Sequence, residues 1–115
     1  MNDVKLVTVT RKDITPGYQL VQTAHAIADF AHDHPDQFKQ WKSESNSIIT
    51  LAVDDEQSLI SLFNKLKEIT PHVIAFTEPD INDQTTALCV YGSPEIRKML
   101  CHIPLALKER KPVTA

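Results

Sequence analysis

Glycine and cysteine are scarce in this sequence, which has only two of each among its 115 residues. Neither glycine belongs to a GxGxxG or GxxxxGK pattern, the loops that bind nucleotide phosphates, so no nucleotide cofactor is expected. Cys89 and Cys101 lack the close spacing of a redox or zinc-binding pair. Both are therefore expected to be reduced core thiols, which favours a cytoplasmic protein.

Long apolar segments and an excess of positive charge are absent as well. The apolar runs, such as residues 73–76 and 87–91, are far shorter than the roughly twenty residues that cross a bilayer, and no signal or transit peptide is predicted. No membrane association is expected. The 12 Lys and Arg against 15 Asp and Glu give a net charge of −3, so no overall field attracts nucleic acid. The densest basic group lies in a C-terminal tail, 108–115, which is expected to be mobile.

The composition is that of one globular domain, with 42% hydrophobic and 23% charged residues. Runs of β-branched residues predict four strands, at 4–11, 48–53, 73–77 and 85–91. Apolar periodicity and capping residues predict four helices, at 15–32, 36–42, 54–69 and 93–102. The order β-α-α-β-α-β-β-α predicts an α/β fold, a single domain over 1–107 with a four-stranded mixed sheet and helices on both faces.

The connections between the strands predict how they pair. Two βα crossovers predict that the first three strands pair in parallel, and the short link before the fourth strand predicts an antiparallel neighbour. The strand at 48–53 is almost continuously apolar, which is typical of a strand covered on both faces.

The first helix is predicted to have an apolar and a polar face. The apolar face, expected to be buried, consists of Leu20, Val21, Ala24, Ile27, Ala28 and Ala31. The polar stripe on the opposite side consists of Tyr18, Gln22, His25, Asp29 and His32. His25 and Asp29 could form a hydrogen-bonded pair that acts as a general base, or they could belong to an ordinary solvated face.

Ligands of α/β sheets bind beyond the carboxyl ends of the strands. That edge gathers residues 11–13, the start of the first helix, the loop at 78–83, and Thr85 and Thr86. Pro79 holds Glu78 in an extended conformation, which could direct its carboxylate, with Asp80 beside it, towards this edge as a base or an orienting group. The alternative is that Glu78 and Asp80 only form an acidic turn.

Two further groups of residues favour ordinary structural roles. His32, His34 and Asp36 straddle a helix break and match no tight ligand spacing, so no metal site is predicted. Phe38 and Trp41 are expected to pack in the core rather than to stack on RNA bases, because only Lys39 and Lys42 supply cations nearby.

Residues 17–26, GYQLVQTAHA, resemble the start of helix one in the type II peptidyl-tRNA hydrolase family, and Gly17, Gln22, His25 and Ala26 match outright. Residues 35–41, 48–66 and 101–105 extend the resemblance, which covers about 4–107. It implies a mixed four-stranded α/β fold and cleavage of the ester between peptide and tRNA without metal or cofactor, and it is compatible with a homodimer.

The resemblance also implies which residues form the site. The family lysine after the glycine corresponds to Tyr18, the aspartate of its Asp-Ala-Gly loop to Glu78, and its threonine to Thr86. Only the threonine is retained, and the loop before it is about four residues shorter. Because Tyr18 carries no positive charge, it cannot replace a lysine in binding phosphate or an oxyanion.

Two hypotheses follow. The first is a hydrolase of peptidyl-tRNA or another aminoacyl ester, in which Glu78 and His25 activate water while Thr86 and the amides of helix one hold the oxyanion. Its substrate-binding residues would be Gly17, Tyr18, Gln22 and Asp80. The alternative is a non-catalytic module on the same fold that binds RNA, an acylated ligand or a protein.

Overall fold

The computed structural model of the protein describes residues 3–108. Its strands are β1 (Lys5–Arg11), β2 (Ile48–Val53), β3 (Val73–Glu78) and β4 (Gln84–Gly92). Its helices are α1 (Pro16–Asp33), α2 (Pro35–Glu44), α3 (Glu56–Ile69) and α4 (Pro94–Met99), and a single 3-10 turn spans Pro79–Ile81. The predicted order of elements and the single α/β domain are confirmed. Residues 109–115 of the predicted tail lie outside the described residues.

The four strands form one mixed sheet in the order β2-β1-β4-β3. β1 pairs in parallel with β2, and β4 lies antiparallel between β1 and β3. The predicted parallel pairing of β3 with the first two strands is therefore wrong. β3 runs in the same direction as β1 but does not pair with it. β3 and β4 form a hairpin, and β4 lies between β3 and β1 and pairs with both. Residues 86–90 of β4 are all buried in this central position.

β2 is an edge strand, and the prediction that it is covered on both faces holds only towards its carboxyl end. Ile48 is 52% exposed, and only Leu51 and Ala52 of this strand are fully buried. The cause is its position at the edge, because α1 and α3 pack mainly on β1, β3 and β4. Its outer side meets the segment after α4 through one isolated bridge, between Leu51 and Leu105.

Alternate residues of the strands supply a separate core on each face of the sheet. On the face covered by α1 and α2, the core consists of Val4, Leu6, Ala26, Phe30, Trp41, Ile74, Ala87 and Cys89. On the face covered by α3 and α4, it consists of Val7, Val9, Leu51, Leu59, Leu66, Val73, Leu88, Val90, Ile96 and Leu100. The core positions of Trp41 and Phe38 are confirmed.

Both cysteines are free thiols, but only Cys89 lies in the core. Burial raises the pKa of the Cys89 thiol well above its ordinary value. The predicted core position of Cys101 is wrong, because α4 ends at Met99 and Cys101 lies in the exposed turn that follows.

The buried face of α1 differs from the predicted one. The helix buries Gln19, Gln22, Thr23, Ala26 and Phe30. Leu20 and Val21, expected in the core, are 66% and 49% exposed, and Ala24 and Ala28 are exposed as well. Ala26 and Phe30 dock the helix on the sheet, and each of the three polar residues on the same face forms a hydrogen bond, although the buried Oε1 of Gln19 accepts none from the described residues.

Candidate functional site

The start of α1 lies at the carboxyl end of the sheet, where Thr15 caps the helix. The Thr15 side chain accepts a bond from the Tyr18 amide, and Pro16 occupies the first helical position. A Cβ built on Gly17 would have no other atom within 4 Å, so a larger residue would fit at this position. Packing therefore does not explain why this chain has the glycine that the family also has. Amide groups in the first turn of a helix favour a negative group nearby.

A buried chain of hydrogen bonds links α1 to β4 and β3. The Thr86 hydroxyl donates to Gln22 Oε1 at 2.5 Å, and Gln22 Nε2 donates to Glu78 Oε1 at 2.9 Å. Gln22 and Thr86 are fully buried, and Glu78 is 9% exposed. Since both ends of the Gln22 amide are engaged, the side chain of Glu78 is held in one orientation at the rim of the sheet.

Glu78 is an ionised carboxylate in this arrangement. Its Oε2 accepts the Asp80 amide at 3.2 Å, so Glu78 caps the 3-10 turn. The hydrogen bond from Gln22, the amide of Asp80 and the attraction of His25 together lower the pKa of Glu78. Desolvation and the negative charges of Glu78 and Asp80 raise the pKa of Tyr18. Its phenol therefore stays neutral at physiological pH.

His25 is exposed and stacks on Phe76, with ring centroids 4.6 Å apart and an interplanar angle of 10°. The hydrogen bonds of residues 3–108 include none between His25 and Asp29, which sequence analysis considered as a pair. Phe76, the residue two positions before Glu78, therefore orients the imidazole in place of a carboxylate.

Arg11 supports the same edge of the sheet, and the sequence alone did not reveal how. Its Nε and Nη2 donate to the two oxygens of Asp13 at 2.8 and 2.9 Å, and its Nη1 donates to Gln84 Oε1 at 2.8 Å and to the Thr85 carbonyl. The hydrogen bond from Arg11 lowers the pKa of Asp13. Arg11 is only 6% exposed and its donors are occupied, so it braces the edge and is not a free cation for a ligand.

The structure brings the predicted site residues together at one edge of the sheet. Gln22, Glu78 and Thr86 are joined by hydrogen bonds. Tyr18, His25 and Asp80 lie around the Glu78 carboxylate. Gly17 is exposed at the start of α1.

No three His, Cys, Asp or Glu side chains within residues 3–108 form a group that could hold a metal ion. His32 contacts Asp33 at 3.1 Å, and His34 contacts His72 at 3.4 Å. No helix in the described part of the chain is long and apolar enough to cross a membrane.

The structure is that of a small α/β protein with an ionised, hydrogen-bonded carboxylate, Glu78, at the edge of its sheet. A family model described as Peptidyl-tRNA hydrolase PTH2 matches residues 4–102. The protein therefore belongs to this family of hydrolases and is peptidyl-tRNA hydrolase-like. No curated protein matches the chain.

Proposed function

We propose that this protein hydrolyses the ester between tRNA and a peptide or aminoacyl group, with Glu78 as the general base. The observation that carries the proposal is the ionised Glu78 carboxylate, which the Gln22 amide and the Asp80 N–H hold beside the start of α1. The family match over residues 4–102 supports this substrate class. Three of the family's matched positions, Gln22, His25 and Thr86, belong to the cluster.

In this mechanism Glu78 removes a proton from a water molecule as the water oxygen attacks the ester carbonyl. The tetrahedral intermediate collapses by breaking the bond to the ribose oxygen, which takes up the proton, so an ester and water become an acid and an alcohol. Because its pKa is lowered, Glu78 is fully ionised at pH 7 but is a weaker base than an ordinary carboxylate. The fixed orientation of its oxygens compensates by reducing the reorganisation needed for reaction.

In this proposal the other residues have different roles. The Thr86 hydroxyl donates to Gln22, so both act as positioning residues that hold Glu78. The amides at the start of α1 stabilise the oxyanion, because the positive end of the helix dipole lies there. His25, stacked on Phe76, contacts the substrate together with Asp80 and the neutral Tyr18 hydroxyl.

A binding module that does not turn over its ligand is the second candidate. The observation that favours it is Tyr18, a neutral side chain at the position of the family lysine, next to two carboxylates. A site without a local cation binds RNA weakly, because contacts between cationic side chains and phosphate groups dominate the affinity of proteins for nucleic acid.

The test is release of tRNA from an N-acetylated aminoacyl-tRNA at low salt. The native protein should cleave it, and Glu78→Gln should reduce the rate by about a hundredfold or more. Glu68→Gln, an exposed change on α3, serves as the matched control and should keep full activity. Thermal unfolding of each variant checks that it is folded.

A Tyr18→Lys variant separates the two candidate functions. Cleavage only by Tyr18→Lys would show that the scaffold retains its carboxylate but lacks a cation, and the native protein would then be a binding module. Full activity of a folded Glu78→Gln variant would exclude Glu78 as the base.

A further inference from the structure

A groove of about 500 Å³ lies between α3 and the chain that follows α4, and it shares no lining residue with the Glu78 cluster. Ser61 and Leu62 belong to its α3 side, and Met99 and Ile103 belong to the opposite side. Ala52, at the carboxyl end of β2, lines it between them. Its volume lies within the range of sites that bind small organic molecules, roughly 300–1,000 Å³.

The side of the groove formed by the segment after α4 is anchored to β2. The Ala52 amide donates to the Pro104 carbonyl at 3.0 Å, and the Ala106 amide donates to the Thr50 carbonyl at 2.9 Å. Leu62, Met99 and Ile103 pack against the core beneath α3. The groove is therefore formed before any ligand binds, so little ordering opposes binding.

The charge of the groove is opposite to that of the whole protein. Lys12, Lys65 and His102 line it, and Asp54 is the one acidic residue among the described lining residues. Asp54 lies 3.5 Å from Lys12 Nζ, whereas Lys65 has no carboxylate within 4 Å in the part of the chain that the structure describes. A ligand in this groove therefore meets apolar surface and a local positive charge.

We propose that this groove binds a small organic anion with an apolar body. Its anionic group lies near Lys65 and His102, and its body packs against Leu62, Met99 and Ile103. The Ser61 hydroxyl offers a hydrogen bond to polar groups of the body. A phosphate ester of nucleotide size and a medium-chain carboxylate share this chemistry. The proposal is independent of ester hydrolysis at Glu78.

The first experiment titrates AMP and octanoate into ¹⁵N-labelled protein at low salt, with adenosine and octanol as their uncharged counterparts. At least one anion should shift the amide signals of Ser61 and Ile103, and it should bind about threefold or more tightly than its uncharged counterpart. A response to AMP alone assigns a nucleotide phosphate, and a response to octanoate alone assigns a carboxylate. No saturable response to either anion would overturn the proposal.

Two matched pairs of variants locate the ligand. Lys65→Gln should weaken binding of the anion about threefold or more, whereas Lys39→Gln, the same change on α2, should not alter it. Ser61→Trp should fill the groove and abolish binding, whereas Asn64→Trp, on the same helix but outside the groove, should not. Unchanged affinity in a folded Ser61→Trp variant, or equal loss in Lys39→Gln, would overturn the proposal.

Discussion

Gln22 is a buried amide whose two ends serve different partners. Its oxygen accepts the Thr86 hydroxyl from β4, and its nitrogen donates to Glu78 at the end of β3. A buried polar group left without a partner costs free energy, so each member of this chain depends on the others. The same contacts set the charge of the carboxylate that the proposed reaction uses.

We expect Gln22→Met to destabilise the protein although the two side chains have similar shapes. The change leaves the buried Thr86 hydroxyl unpaired, which should lower the free energy of unfolding at pH 7 by about 1–3 kcal/mol. Urea unfolding measures it. Gln57→Met, at an exposed glutamine on α3 for which the described residues show no side-chain hydrogen bond, is the control and should cost much less. Equal costs at the two positions would contradict the importance of the buried chain.

The cost of Gln22→Met should also shrink on acidification. The Gln22 hydrogen bond lowers the pKa of Glu78 in the folded protein, so the stabilisation from this group is present above the unfolded pKa, near 4.5. It is lost as the pH falls through the lower folded pKa. Unfolding measured from pH 7 to pH 3 should therefore show the difference between the native and variant proteins narrowing to the part that the unpaired Thr86 hydroxyl causes.

At the scale of elements, α1 shows how burial depends on more than hydrophobicity. The buried positions 19, 22, 23, 26 and 30 repeat with the helical period, but three of them are polar. The aliphatic residues Leu20 and Val21 face solvent instead. The apolar periodicity of the sequence therefore predicted the helix correctly and its orientation wrongly.

Matched leucine substitutions test this orientation. Leu59, on α3, is fully buried, so Leu59→Ala should lower the free energy of unfolding by about 2–5 kcal/mol. Leu20 is 66% exposed, so the same change there should alter it by no more than about 0.5 kcal/mol. Denaturant unfolding of both variants measures the difference. A large cost at Leu20 would show that α1 buries the face predicted from the sequence.

The starts of α1 and α4 were predictable, because capping involves residues close together in the chain. Thr15 and Pro16 at α1 and Ser93 at α4 cap their helices as expected, whereas α3, predicted from residue 54, is capped one residue later by Asp55. The gathering of Glu78, Thr86 and the start of α1 at one edge followed from the rule for strand ends. The hydrogen-bond partners were not predictable, because Gln22 lies 56 and 64 positions from Glu78 and Thr86.

In the whole molecule, the central position of β4 determines which strands of the sheet pair with one another. β4 separates β1 from β3 and contributes buried residues to both cores. Its end lies close to β1, where Gly92 is opposite Lys5. The homodimer and cytoplasmic location implied by the resemblance and the composition stay predictions.

The two glycines should respond differently to the same substitution. A Cβ on Gly92 would lie 2.7 Å from the Lys5 carbonyl oxygen and 2.6 Å from Val7 Cγ2, so Gly92→Ala should cost about 1–3 kcal/mol. Gly17 has open space around it, so Gly17→Ala should be neutral or stabilise by up to about 1 kcal/mol. Chemical unfolding of both variants checks this. A neutral Gly92→Ala would contradict the close approach of β4 to β1.

The order of the elements, the starts of α1 and α4, and the family follow from the sequence, because each depends on short segments whose residues act on their neighbours. The insertion of β4, the face that α1 buries, and the hydrogen bonds that hold Glu78 follow from the folded structure. These features depend on contacts between distant segments, where packing and the pairing of buried polar groups outweigh local preference. Gln22 is buried because Glu78 and Thr86 meet it there.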